Sequence, residues 1–309
     1  MTSALRLPYY SYLSCWFGVT SRRPIGTNIF SRDWDVLIVL DACRVDALDQ
    51  VKEEYDFLPD KIDSIWSLGS GSAEWIAQTF SEDYADEIAD TAYVSTNGFT
   101  EWVLNHREMP SEKGWFDISK WDTVHPEDFK LLHYIKDDAP ELDFYRYVPT
   151  KYINERAIAA KQQIDPERLV IHYQQPHDPY AHEALSEGRE LTEYEKKPLR
   201  HLARGECSRE KAWGDYIQEL RAGLDGVEDL LESIDADKVV ITADHGEAFG
   251  EYNIHRHPLG IPIPELRRVP WVETSAERMK DVDVNYNFES DKMGTKDEIL
   301  DHLANLGYR

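Results

Sequence analysis

The chain runs without a break through Val36, Leu37, Ile38, Val39 and Leu40 and stops on Asp41. An apolar run this short, rich in valine and isoleucine, is too short for a helix and suits a strand buried on both faces. Asp41 then sits at the C-terminal end of that strand, the edge of an open α/β sheet at which ligands bind. The pattern recurs where Val239, Val240, Ile241 and Thr242 lead into Ala243, Asp244, His245, Gly246 and Glu247. Two strand-end carboxylates and a histidine can share one metal ion.

Around these two runs, strand and helix patterns alternate. Residues 44–55 have helical spacing, with Val45, Leu48 and Val51 on one face. A second strand over residues 63–68 runs into a turn, Gly69-Ser70-Gly71-Ser72, ahead of Glu74 and an apolar stretch that reads as a helix start. A hydroxyl there is surrounded by unpaired backbone N–H groups and the positive end of the helix dipole, where an attacked phosphoryl or sulfuryl group would be held. Both Ser70 and Ser72 are candidates, against the plain alternative that they only cap the helix. Residues 91–96 and 168–173 read as further strands, and residues 152–164 and 209–234 as helices. Residues 101–143 show no clean period and read as mixed loop and short elements, 191–201 form a polar loop or lid, and 295–306 form a short amphipathic helix. His172 lies within its strand as a core histidine, whereas His177, between Pro176 and Pro179, is stiffly placed just past the strand end. The alternation implies a large, mostly parallel sheet between helices, an α/β fold in one domain over 1–309, with an N-terminal arm (1–30) and a C-terminal extension (275–309).

Composition narrows the partners. Fifty-nine acidic residues against 34 basic ones give a formal charge of −25 and argue against nucleic acid or an anionic membrane as partner. The acidity is spread along the chain, which keeps a protein soluble where salt screens its self-repulsion, and points to a halophilic host ahead of an ordinary acidic cytoplasmic enzyme. Cys15, Cys43 and Cys207 are odd in number and far apart, which fits a reducing, cytoplasmic setting. No apolar run reaches the ~18 residues of a transmembrane segment. The aromatic stretch from Leu5 to Val19 lacks a secretory signal's features and either packs on the domain or serves as a docking arm.

Collected at strand ends are Asp41, a serine of the 69–72 turn, His177, Asp244, His245, and His257 or His255. Carboxylate and imidazole ligands without thiolate suit zinc or manganese, and magnesium or calcium where more oxygens join, as one ion or two. A hydroxyl beside such an ion becomes a nucleophile more easily.

These motifs, with Gln174-Gln175-Pro176-His177-Asp178-Pro179 and His257-Pro258, resemble the alkaline phosphatase/sulfatase superfamily, and within it a sulfatase-like branch found in haloarchaea. The resemblance covers residues 35–271. It implies an alkaline phosphatase-like fold in which Asp41, Asp244 and His245 bind one metal, His257 serves a second metal or the substrate, and His177 contacts the charged oxygens of an ester. A serine, threonine or formylglycine would start the helix after the second strand. The sulfatase signature Cys-x-Pro-Ser-Arg is absent, so the expected substrate is a phosphate ester ahead of a sulfate ester, hydrolysed or transferred. One register places Gly71 at the nucleophile position. That register motivates the alternative of a catalytically silent module binding phosphorylated or sulfated glycans or lipid head groups.

Overall fold

The structure, a computed structural model, describes residues 3–107, 109, 118–135, 147–280, 282, 284 and 286–288. The helix expected over 295–306 and most of the C-terminal extension lie outside these residues.

Nine strands are described: β1 (Val36–Leu40), β2 (Ser64–Trp66), β3 (Thr91–Ser95), β4 (Leu131–Tyr134), β5 (Arg168–Tyr173), β6 (Ala236–Thr242), β7 (Ala248–Phe249), β8 (His255–Arg256) and β9 (Arg268–Ala276). Seven form one sheet in the order β2-β9-β6-β1-β5-β3-β4, and β7 pairs with β8 in a small ribbon. Every neighbouring pair in the large sheet is parallel except the two that β9 makes with β6 and β2. The mostly parallel α/β sheet expected from the sequence is therefore present.

Helices cover both faces, as two adjacent residues of β5 demonstrate. Side chains alternate across a strand, so His172 and Tyr173 point to opposite faces. The His172 ring meets Trp75 of the Ser72–Thr79 helix, with ring centroids 5.6 Å apart, while the Tyr173 hydroxyl donates to Asn154 of the Thr150–Gln163 helix. With apolar cover on both sides, β1 is buried along its whole length. This explains why its sequence is a continuous apolar run instead of an alternating one.

Register sets the position of the site. Leu40 pairs with Tyr173, and Val39 with both His172 and Thr242, while Ser95 of β3 pairs with His172. The C-terminal ends of β6, β1, β5 and β3 are thereby level along one edge. The residues that follow them, Asp244, Asp41, His177 and Asn97, emerge side by side.

Residues 101–143 hold short elements, as expected: the strand β4 and most of the helix Phe99–His106, which begins just ahead of them. One expectation is corrected. The stretch read as a loop or lid folds into short helices, Glu193–Lys196 and Pro198–Ala203, the first opened by a capping box between Thr192 and Glu195. The Pro-rich passage after His257 leads into the antiparallel strand β9. The N-terminal arm is a helix, Ser3–Thr20, that packs on the protein: Tyr9 and Tyr12 donate to the carbonyls of Leu259 and Gly260, and Trp16 to the Glu74 carboxylate. No helix among the described residues is long and apolar enough to cross a membrane.

Candidate metal centre and nucleophile turn

Asp41 follows β1 in a sharp turn in which Ala42 takes a positive φ of 63°, a left-handed conformation that costs a residue with a Cβ about 1 kcal/mol. The turn persists because it is held from several sides. The Tyr216 hydroxyl donates to the Ala42 carbonyl and accepts from the Arg44 N–H, and the Ala42 N–H donates to Asp244 Oδ1 at 3.1 Å. Asp244 Oδ1 also accepts the His245 N–H at 2.9 Å. One oxygen of Asp244 is thus fixed by two backbone donors, and the other, Oδ2, is buried and bonded to nothing.

Asp41 repeats the arrangement. Its Oδ2 accepts from Asn97 Nδ2 at 2.7 Å, and its Oδ1 is buried without a hydrogen bond. His245 completes it, because its Nδ1 lies 2.7 Å from the Gly246 carbonyl, which fixes the proton there and leaves Nε2 with a lone pair that faces the cluster. That Nε2 is 3.5 Å from Asp41 Oδ1 and 3.4 Å from Asp244 Oδ2. One ligand atom from each of Asp41, Asp244 and His245 lies within 4.8 Å of the others, all three residues buried. Each residue spends one polar atom on a positioning partner and turns the other to a common point.

Electrostatics agree with a cation at that point. Burial, and then the adjacent Asp244 charge, push the Asp41 carboxyl well above its usual range. Burial also opposes ionisation of Asp244, but His245 and His172 outweigh it and hold its carboxyl below the usual range. Two buried carboxylates this close repel unless a positive charge lies between them. Two orphaned carboxylate oxygens and an imidazole nitrogen form a donor set that fits a divalent ion such as zinc or manganese.

The nucleophile turn meets this cluster through Ser72. Gly71 is the N-cap and Ser72 the first residue of the Ser72–Thr79 helix, and Ser72 Oγ stands 3.1 Å from His245 Nε2. Ser70 is engaged elsewhere: its hydroxyl lies 3.0 Å from the Pro258 carbonyl and 3.1 Å from Glu74 Oε2, and accepts the Ile261 N–H. Glu74 is the hub of the turn. Its buried carboxylate accepts from the Ser70 and Gly260 N–H groups, from Trp16 and from Arg267, whose guanidinium also holds the carbonyls of Ser67 and Leu68. A Cβ on Gly69 would meet the Trp75 nitrogen at 2.5 Å, so the turn closes this tightly only with glycine there.

Two more histidines border the cluster. The His257 ring centroid is 4.5 Å from that of His245 and 5.0 Å from that of His177. His257 Nδ1 lies 3.0 Å from the Glu247 carboxylate, and burial, opposed by His177 and His245, raises the Glu247 carboxyl to about 7. Burial, with His245 and His177 adding to it, lowers His257 well below the ordinary histidine value. His177 Nδ1 is 2.6 Å from the Asp178 carbonyl. His255 lies in β8 beside Gly250, apart from these contacts.

The structure therefore brings together Asp41, Asp244, His245, Ser72, His257 and His177, and gives Ser70 and His255 other surroundings. Sequence reasoning missed Asn97, Glu74 and His172. Asn97 was legible only as a strand-breaking Asn-Gly pair, Glu74 as a helix-start residue, and His172 as core. Their roles depend on strands and helices distant in sequence.

No protein-family profile and no curated protein matches the chain in sequence. Solved structures resemble its fold. The soluble domain of lipooligosaccharide phosphoethanolamine transferase A from Neisseria meningitidis is 13% identical over 83% of this chain and 81% of its own, with a TM-score of 0.45. The C-terminal periplasmic domain of phosphoethanolamine transferase EptC from Campylobacter jejuni is 17% identical over 78% of each chain, with a TM-score of 0.44. A protein assigned as a sulfatase from Bacteroides thetaiotaomicron is 12% identical over 80% of this chain and 66% of its own, with a TM-score of 0.43. These likenesses concern the path of the chain, and the chemistry of the site stands on the distances given above.

Proposed function

We propose that the protein is a metal-dependent enzyme that cleaves or transfers phosphate esters through Ser72. The observation that carries this reading is the 3.1 Å approach of Ser72 Oγ to His245 Nε2, within a cluster whose two carboxylates each present a buried, unbonded oxygen. Asp41, Asp244 and His245 would hold the ion. When bound, a divalent cation supplies positive charge that offsets the two carboxylates and eases loss of the proton from an adjacent hydroxyl.

The chain's own groups account for the rest. The helix that begins at Ser72 directs its first backbone N–H groups to the place where the ester's charged oxygens would lie. His177 and His257 line the same place and would bind those oxygens. Ser72 Oγ attacks phosphorus as its proton passes to water, and the ester oxygen departs with the bonding pair and takes up a proton from water. Water then releases the serine-bound phosphoryl group as phosphate, or an acceptor hydroxyl takes it up. Sulfate esters, and phosphorylated glycan or lipid head groups, fall within the same geometry. The spread of acidic residues supports a high-salt cell, and three cysteines in no disulfide spacing support a cytoplasmic protein, as part of the same proposal.

The test is turnover of 4-nitrophenyl phosphate in high salt with added Zn²⁺ or Mn²⁺. Ser72→Ala is expected to lower the rate at least ~1000-fold, in line with loss of a covalent nucleophile, at unchanged metal content, while Ser70→Ala keeps the nucleophile. In the unaltered protein a quenched reaction should leave phosphate on the peptide containing Ser72. Tight binding of the ester with no product would instead make the protein a binding module, and full activity in Ser72→Ala would remove the serine mechanism.

A further inference from the structure

Asp41 and Asp244 are joined by a second route that passes beneath the site through side chains with no place in the chemistry above. His172 Nδ1 lies 2.9 Å from the Tyr93 hydroxyl, which is 3.2 Å from Thr100 Oγ1. Thr100 Oγ1 is 2.8 Å from Ser95 Oγ, which accepts the Asn97 N–H at 3.0 Å, and Asn97 Nδ2 donates to Asp41. At the other end, His172 Nε2 faces Asp244 Oδ2 at 3.6 Å, just beyond hydrogen-bond distance. All of these residues are buried.

A polar chain of this length in the middle of a sheet is costly unless it serves something. Leu169, Val170 and Ile171 precede His172 in β5, and another apolar residue there would fill the space without burying a ring nitrogen that has no hydrogen bond. Register explains the encounter: His172, Val39 and Thr242 form one row across β5, β1 and β6, and Asp244 follows Thr242 by two residues. We infer that His172 is a positioning residue that directs its Nε2–H at Asp244 Oδ2, held in that tautomer by the Tyr93 hydroxyl, so that both metal-facing carboxylates are aimed by one buried polar chain. The inference rests on the proposed cation site. It assigns His172 no contact with substrate.

The test is the dissociation constant for Zn²⁺, measured by competition with a chromophoric chelator, for the unaltered protein and for His172→Phe, His172→Gln, Tyr93→Phe and Asp244→Asn. His172→Phe fills the space without a donor and is expected to weaken binding 10- to 100-fold, the usual cost of losing such a partner. His172→Gln restores an N–H toward Asp244 and should recover most of that loss. Tyr93→Phe deletes one hydroxyl and should weaken binding several-fold even if His172→Phe fails to fold. Binding unchanged in His172→Phe or Tyr93→Phe, or lost equally in the Phe and Gln variants, overturns the inference while loss in Asp244→Asn upholds the cation site. Unchanged binding in Asp244→Asn would instead remove the site itself.

Discussion

Asp41 and Asp244 each spend one carboxylate oxygen on neutral donors and keep the other for the site, and the residue after His245 makes this arrangement permissible. Gly246 donates its N–H to the Leu266 carbonyl at 2.8 Å, and a Cβ at this position would meet the Glu265 carbonyl oxygen at 2.1 Å. Backbone on backbone cannot yield as a flexible side chain can. Gly246→Ala should therefore destabilise the protein by about 3 kcal/mol, the upper range for overpacking, and displace His245 from the cluster. Urea unfolding checks this: a midpoint equal to that of the unaltered protein would show that the Pro264–Arg267 helix moves aside freely. In the sequence, Gly246 is legible as part of an Asp-His-Gly-Glu motif, but the reason for the glycine is not. The obstruction comes from a segment some twenty residues further along the chain.

At the scale of elements, the Arg209–Leu231 helix carries a buried carboxyl that has no part in the site. Glu219 accepts from the N–H of His182 and from the Tyr147 hydroxyl, tying the His182–Glu187 helix and the segment at Tyr147 to the long helix. Burial, only partly offset by these donors, raises its carboxyl from 4.5 to about 8. A folded-state value above the unfolded one means that the protonated form is favoured by folding. The resulting stability is complete below about pH 4.5 and is lost as pH rises through about 8. Glu219→Gln, which stays neutral, should flatten the fall in Tm between pH 6 and pH 9 relative to the unaltered protein. Identical slopes in a thermal melt series would contradict this.

The elements also show where local pattern ends. β1, β3, β5 and β6 are legible because strands covered on both faces need continuous apolar runs. β4 escapes notice because it is a half-buried edge strand in a stretch without period, and β9 because Pro270 and Glu273 argue locally against a strand inside a sheet. Its pairing with β6 and β2 is decided by tertiary contact, as is the docking of the N-terminal helix on Glu74 and the loop after His257. The capping box at Thr192 and Glu195, by contrast, is written in the sequence of the stretch read as a lid.

For the whole molecule, the formal charge of −25 sets how the fold responds to its medium. Raising KCl from about 0.1 M to about 1 M shortens the Debye length from about 10 Å to about 3 Å and screens the mutual repulsion of surface carboxylates. Tm should rise by several degrees over that range, and a Tm that falls would contradict a surface built for high salt. The same charge makes the proposed metal site more than a local matter, since the protein as a whole attracts cations and such a site would select among them by geometry and ligand type. The ends of β6 and β1 bring the three candidate ligands together from about two hundred residues apart. The most direct measurement is anomalous diffraction at the zinc edge from crystals equilibrated with Zn²⁺. The account predicts a peak about 2.0–2.2 Å from Asp41 Oδ1, Asp244 Oδ2 and His245 Nε2; zinc bound only elsewhere, or no peak at this cluster, would contradict it.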